Sequence, residues 1–168
     1  MEEAKLSKGV KTGNIDQVYG RFSENIVRDI TTFGGTPLFL GLILFAYLLG
    51  SSYFDLGFDL LVGFILTIGI CVVVRIFYFK NRPKKINYSS FIGKMDASSF
   101  PSVHSSRVFF LAPLFASFFG IVSVWAMMYV LAVLVAWSRL ELKKHDLWDV
   151  GVGAIVGTVS WILVVNFF

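Results

Sequence analysis

Polar and apolar positions divide the chain into a polar start, one amphipathic stretch and a series of long apolar blocks. Residues 1–14 are polar and carry Lys5, Lys8 and Lys11, a pattern that predicts no cleavable signal peptide. Over residues 15–32, Ile15, Val18, Tyr19, Phe22, Ile26, Val27 and Ile30 recur at helical spacing, with Arg21, Glu24, Arg28 and Asp29 between them. That spacing predicts an amphipathic helix lying in a membrane interface. The apolar blocks then predict spanning helices near Phe33–Phe54, Leu56–Phe79, Ser102–Phe119, Ile121–Arg139 and His145–Phe167. Asp59 and Arg75 stand close enough to the ends of the second to snorkel. No charge interrupts Val108–Ser138, which is long enough for two spans of ~20 residues, and Gly120 marks the break. Gly151, Gly153 and Gly157 predict close helix approach in the last span. The expected fold is all-α: an integral membrane bundle of about five transmembrane helices (residues 33–168) behind an N-terminal interfacial helix, in one domain.

Composition supports this reading. Of 168 residues, 56% are hydrophobic and 15% charged, and the mean hydropathy is +0.73. A disordered chain needs the opposite balance, and a soluble globule of this length could not hide so much apolar surface. The net charge is +4, but position matters more than the sum: all 15 Lys and Arg lie in the N-terminal region, in the Arg75–Arg107 connection or at Arg139–Lys144. With five spans these regions share one side of the membrane. The positive-inside rule places that side in the cytoplasm of a cell-membrane protein. Basic residues that flank spans disfavour a nucleic-acid role. Cys71, the single cysteine, reads as a small buried hydrophobe.

Three clusters at the charged side carry candidate chemistry, and each also has a bland reading. Arg75 and Arg82 are seven apart, two turns on one face if the helix continues, and Pro83 ends the segment. They read as guanidinium forks for phosphate or as snorkelling residues beside a solvated basic loop of Lys80, Lys84 and Lys85. Pro101-Ser102-Val103-His104 opens a predicted helix, whose N-terminus is a ready anion site with His104 placed as a general acid. The bland alternative is a capped helix start. Ser138-Arg139 precedes His145 and Asp149, which are i and i+4 on one helix face. A carboxylate there can accept the Nδ1–H and leave Nε2 free as a nucleophile; the alternative is a surface His–Asp pair. The helix break at Gly120 brings all three clusters to one side.

In order and internal spacing these clusters resemble the type 2 phosphatidic acid phosphatase superfamily, which also includes the vanadium haloperoxidases. Its pattern of Lys-x6-Arg-Pro, Pro-Ser-Gly-His and Ser-Arg-x5-His-x3-Asp is met by Arg75-x6-Arg82-Pro83, Pro101-Ser102-Val103-His104 and Ser138-Arg139-x5-His145-x3-Asp149. Arg75 stands where lysine is usual, keeping the charge with a different reach. Val103 stands where glycine is usual, and a β-branched residue resists positive φ. The resemblance implies a phosphate clamp of Arg75, Arg82 and Arg139, helped by Ser102 and the Val103 and His104 amides. It implies that His145 attacks phosphorus to form a phosphohistidine, that Asp149 orients His145, and that His104 protonates the leaving oxygen and then activates water. No metal or other cofactor is implied. Asp146 reads as a helix cap and Arg107 as a headgroup contact or a support behind the site.

The expected function is therefore a metal-independent phosphatase acting on a membrane lipid phosphate or diphosphate. An isoprenoid (di)phosphate is favoured over phosphatidylglycerophosphate or phosphatidate, a preference that rests on family habit. A non-catalytic lipid-phosphate binder or transporter is the alternative, supported by Val103 alone. A vanadate-dependent oxidant enzyme fits poorly, since those relatives are soluble.

Overall fold

A computed structural model of the chain describes residues 12–83 and 89–168. Lys5, Lys8, Lys11, Lys84 and Lys85 lie outside the described residues, as do the side chains of Ile15 and Val18. Among the described residues the regular structure is helical: α1 Thr12–Thr32, α2 Thr36–Leu48, α3 Phe54–Phe77, α4 Phe91–Ala97, α5 Val103–Phe119, α6 Val122–Glu141 and α7 Leu147–Phe167. A 3-10 turn, Ser51–Tyr53, leads into α3, and Asn81 and Ser98 form an isolated antiparallel bridge.

Each predicted apolar segment is a helix of an integral membrane bundle. The Ser51–Phe77, Val122–Glu141 and Leu147–Phe167 stretches are long and apolar enough to cross a bilayer. A fourth crossing arises if the bent pair of α1 and α2, meeting at 42°, is one span; α5 is a shorter apolar helix. The first segment is shorter than its apolar run. Gly34 and Gly35 bond back to Thr31 and Thr32 at 3.2 and 2.8 Å, and Pro37 stands in the first turn of α2, so helix cannot run through from α1. On α1, Tyr19, Phe22 and Ile26 are exposed while Val27 is buried, and Ile30 packs on Val108, Ala132 and Val135.

The centre of the bundle is α5, packed by α3, α6 and α7. Glycines set how close these neighbours come. A Cβ on Gly63 would lie 1.8 Å from Phe110 Cζ, and one on Gly157 would lie 2.1 Å from the Ser106 carbonyl oxygen. Gly153 similarly sits against Ser102, but Gly151 meets nothing within 4 Å and faces outward. Only two of the three predicted contact glycines therefore serve that purpose, because Gly153 and Gly157 are one turn apart and Gly151 is out of phase. At the far end of α5, Gly120 takes the left-handed φ of 65° that lets the chain turn into α6.

Candidate active site

On α3 the buried stripe Leu56, Leu60, Gly63, Thr67 and Cys71 continues to Arg75, so the same face that packs the core turns this guanidinium inward. Its Nη1 donates to the Met95 carbonyl at 2.8 Å and its Nη2 to the Pro101 carbonyl at 2.9 Å. Arg75 thus ties the ends of α4 and the α5 approach together as well as facing the site. Arg82 does not arrive on a continuing helix. The helix ends at Phe77, Tyr78 is extended (φ −134°, ψ 96°), and the strand-like hook that follows is held by Ser99 N–H donating to the Lys80 carbonyl at 2.8 Å. This long-range pairing outcompetes helix continuation. From the hook, Arg82 donates to the Asp96 carbonyl and faces the Asp96 carboxylate at 3.5 Å.

Ser102 is the N-cap of α5 and is completely buried. Its hydroxyl accepts from the Ser105 N–H at 3.4 Å, its carbonyl from the Ser106 N–H at 3.0 Å, and its own N–H donates to the Asp149 carbonyl at 2.9 Å. Ser102 therefore lies beneath the site. The helix-start N–H groups without an intrahelical acceptor belong to Val103 and His104. Among the described residues Lys143 is the non-glycine residue with positive φ, so Val103 has ordinary helical backbone and imposes no strain.

His145 precedes α7 rather than lying on it. Asp146 is the N-cap, and its carboxylate accepts the Asp149 N–H at 3.0 Å while Asp149 returns the bond to the Asp146 N–H at 2.9 Å. This reciprocal cap confirms Asp146 as a cap and also explains a departure from expectation. The Asp149 carboxylate is taken up by the cap and by Lys80, whose Nζ donates to Oδ1 at 2.8 Å, so its nearest oxygen stays 3.8 Å from His145 Nδ1. The Nδ1–H instead donates to the Ser99 carbonyl at 2.7 Å. Nε2 is then unprotonated and accepts from Arg139 Nη2 at 3.4 Å. Burial pushes the His145 pKa below the ordinary histidine range; Arg139 and Arg82 push the same way, while the Asp149 carboxylate and the Ser99 carbonyl pull back. The imidazole is consequently neutral near pH 7, as a nucleophile must be.

Sequence reasoning gave Lys80 only a solvated role, yet it pairs with both Asp146 and Asp149. Burial opposes its charge, but those two carboxylates more than offset this and raise its pKa. Ser99, through its carbonyl, is the other residue missed by sequence, whereas Arg107 was expected as a headgroup contact or a support behind the site. The latter is 4% exposed, donates from Nη1 to the Gly34 carbonyl at 3.3 Å and to Thr36 Oγ1 at 2.9 Å, and lies over the Phe64 ring at 5.1 Å.

These elements enclose a cavity of about 280 Å³ lined by Arg75, Arg82, Val103, His104, Arg107, Arg139 and His145, with Asp96, Thr36 and apolar residues of α3 and α4 around them. Asp149 and Ser102 support it from below. Among the described residues, the side-chain nitrogens buried without a hydrogen-bond partner are the Nε atoms of Arg75, Arg82, Arg107 and Arg139, together with Trp161 Nε1. A buried donor left unmade costs ~1–3 kcal/mol, more when charged. Four such donors belong to residues that line one cavity. Among the described residues no group of three or more His, Cys, Asp or Glu could hold a metal ion.

The fold has close counterparts. The crystal structure of Aquifex aeolicus LpxE aligns over 87% of each chain with a TM-score of 0.71 and 18% identity. That of the first transmembrane PAP2 type phosphatidylglycerolphosphate phosphatase from Bacillus subtilis aligns over 87% of this chain and 76% of its own, with a TM-score of 0.70 and 24% identity. No curated protein sequence matches the chain. The family model for the PAP2 superfamily matches residues 56–168, the part of the chain that holds every motif and most of the bundle, and the chain belongs to that superfamily.

Proposed function

We propose that this membrane protein is a lipid phosphatase that needs no metal and works through a phosphohistidine. The observation that carries the reading is the convergence of three buried arginines and the partly buried Arg82, each with an unbonded Nε, with His145 and His104 on one cavity. The arginines bind the phosphoryl oxygens and stabilise the charge that develops in the transition state. The His145 Nε2 lone pair attacks phosphorus while the bond to the leaving oxygen breaks, and His104, which takes up a proton when the anionic headgroup offsets the surrounding arginines, gives that proton to the leaving oxygen. Deprotonated His104 then takes a proton from water, which attacks the phosphohistidine, breaks the P–N bond and releases phosphate. Ser99 fixes the tautomer of His145. Asp149, held by Lys80 and the cap, stabilises the positive charge on the ring during attack.

A lipid substrate is supported by a second cavity of about 260 Å³ lined by apolar side chains, including Leu38 and Leu42 of α2, Leu111 and Phe115 of α5, and Met128 and Leu131 of α6. Its Phe33 and Val108 walls are the sequence neighbours of Gly34 and Arg107 at the phosphate cavity. An apolar tail can lie there while its headgroup meets the arginines. Phosphate release by detergent-purified protein in excess EDTA tests this, with a polyprenyl diphosphate, phosphatidylglycerophosphate and phosphatidate as substrates. Turnover should persist in EDTA and vanish in His145→Ala. Binding without release from any lipid would favour the non-catalytic alternative, which requires arginines but no neutral histidine.

A further inference from the structure

The three family motifs account for Arg75, Arg82 and Arg139, but not for the fourth arginine on the cavity. Arg107 lies one turn beyond His104 on α5, three residues on and hence on the same face. Its Nη1 is anchored by Gly34 and Thr36 at the start of α2, and the Phe64 ring of α3 packs beneath it. These contacts immobilise the guanidinium in advance, while Nε keeps no partner. Among the described residues no carboxylate pairs with Arg107.

We propose that Arg107 binds the leaving group, and that this leaving group is itself a phosphate, so that diphosphate lipids are the preferred substrates. This rests on the phosphatase reading above. In-line attack puts the leaving oxygen opposite His145 Nε2, on the side of the proton donor His104. Arg139 stands beside the nucleophile, at 3.4 Å from Nε2, and Arg107 stands beside the donor. A neutral leaving group, such as a diacylglycerol hydroxyl, would leave the buried Arg107 charge uncompensated, which is costly. The phosphate of a departing lipid monophosphate compensates it. Charge agrees: four guanidinium groups against the single lining carboxylate, Asp96, leave an excess of three positive charges. A diphosphate monoester carries about three negative charges, whereas a phosphate monoester carries about 1.5 to 2. In the step itself, the P–N bond to His145 forms at the terminal phosphorus and the bridging P–O bond breaks. His104 delivers its proton to the bridging oxygen, and the lipid monophosphate departs past Arg107.

The test compares a polyprenyl diphosphate with the matching polyprenyl monophosphate in wild type, Arg107→Lys and Arg107→Gln. Wild type should favour the diphosphate in kcat/KM. Arg107→Gln should cut that preference about tenfold, the worth of one charge-assisted hydrogen bond, with Arg107→Lys retaining part of it. A merely structural Arg107 would lower both substrates together, and a preference kept within about twofold in Arg107→Gln overturns the proposal. Stabilisation of the purified full-length variants by inorganic diphosphate against inorganic phosphate reads the same preference without turnover. If wild type hydrolyses neither lipid, the phosphatase reading fails while this binding ratio still decides the role of Arg107. Should Arg107→Gln not fold, the ratio in Arg107→Lys decides: a reduced diphosphate preference supports the proposal and an unchanged one overturns it.

Discussion

At the scale of single residues, the site separates two jobs that a histidine–carboxylate pair is usually thought to combine. The Ser99 carbonyl holds the Nδ1–H of His145, and Asp149 contributes charge from 3.8 Å while bonded to Lys80. Asp149→Asn should therefore leave the tautomer intact. Turnover is expected to fall about 10- to 100-fold, short of the ~10⁴-fold loss that accompanies a wrong tautomer; kcat in the purified variant checks this. The motif residues were legible because each cluster is short and its spacing survives in one segment. Lys80 and Ser99 were not, because their positions depend on the pairing of 80–81 with 98–99, a long-range contact that leaves no periodic trace. Arg107 carried one weak signal, a charge one turn after His104 at the edge of an uncharged block.

At the scale of elements, each of the five apolar segments holds a helix, three of them long and apolar enough to cross a membrane, and the break falls at Gly120, but the pattern misjudged the helix ends. It ran the first span from Phe33 to Phe54 where α2 is Thr36–Leu48, and the second to Phe79 where α3 ends at Phe77, since hydropathy registers apolar content rather than where backbone hydrogen bonds switch partners. The short α4, capped by Ser90 accepting from the Gly93 N–H at 3.0 Å, has too few residues to show a period. The α5–α7 contact depends on missing side chains. Gly157→Ala would force its Cβ against the Ser106 carbonyl and should destabilise the fold by about 1–3 kcal/mol. Gly151→Ala enters open space and should stabilise by about 0.5–1 kcal/mol through helix propensity. Thermal unfolding of the two variants in detergent, side by side, measures the difference.

At the scale of the whole molecule, the bundle's chemistry is concentrated where α3, α5, α6 and α7 bring their charged ends together. The helix break at Gly120 makes this possible, because without it the His104 and His145 clusters would lie at opposite ends of one long helix. The apolar cavity between α2, α5 and α6 is walled by Phe33 and Val108, the sequence neighbours of Gly34 and Arg107, and in the proposed reading it takes the lipid tail while the arginines take the phosphate. The central claim is that His145 Nε2 becomes bonded to phosphorus. The most direct measurement is rapid quenching of the His104→Ala variant during reaction with a phosphate-labelled lipid, followed by mapping of the label. The account predicts acid-labile, alkali-stable phosphate on His145, formed more slowly because the leaving oxygen loses its proton donor but longer-lived because water is no longer activated, and absent from His145→Ala. Label on another residue, or full turnover by His145→Ala with no labelled protein, would contradict it.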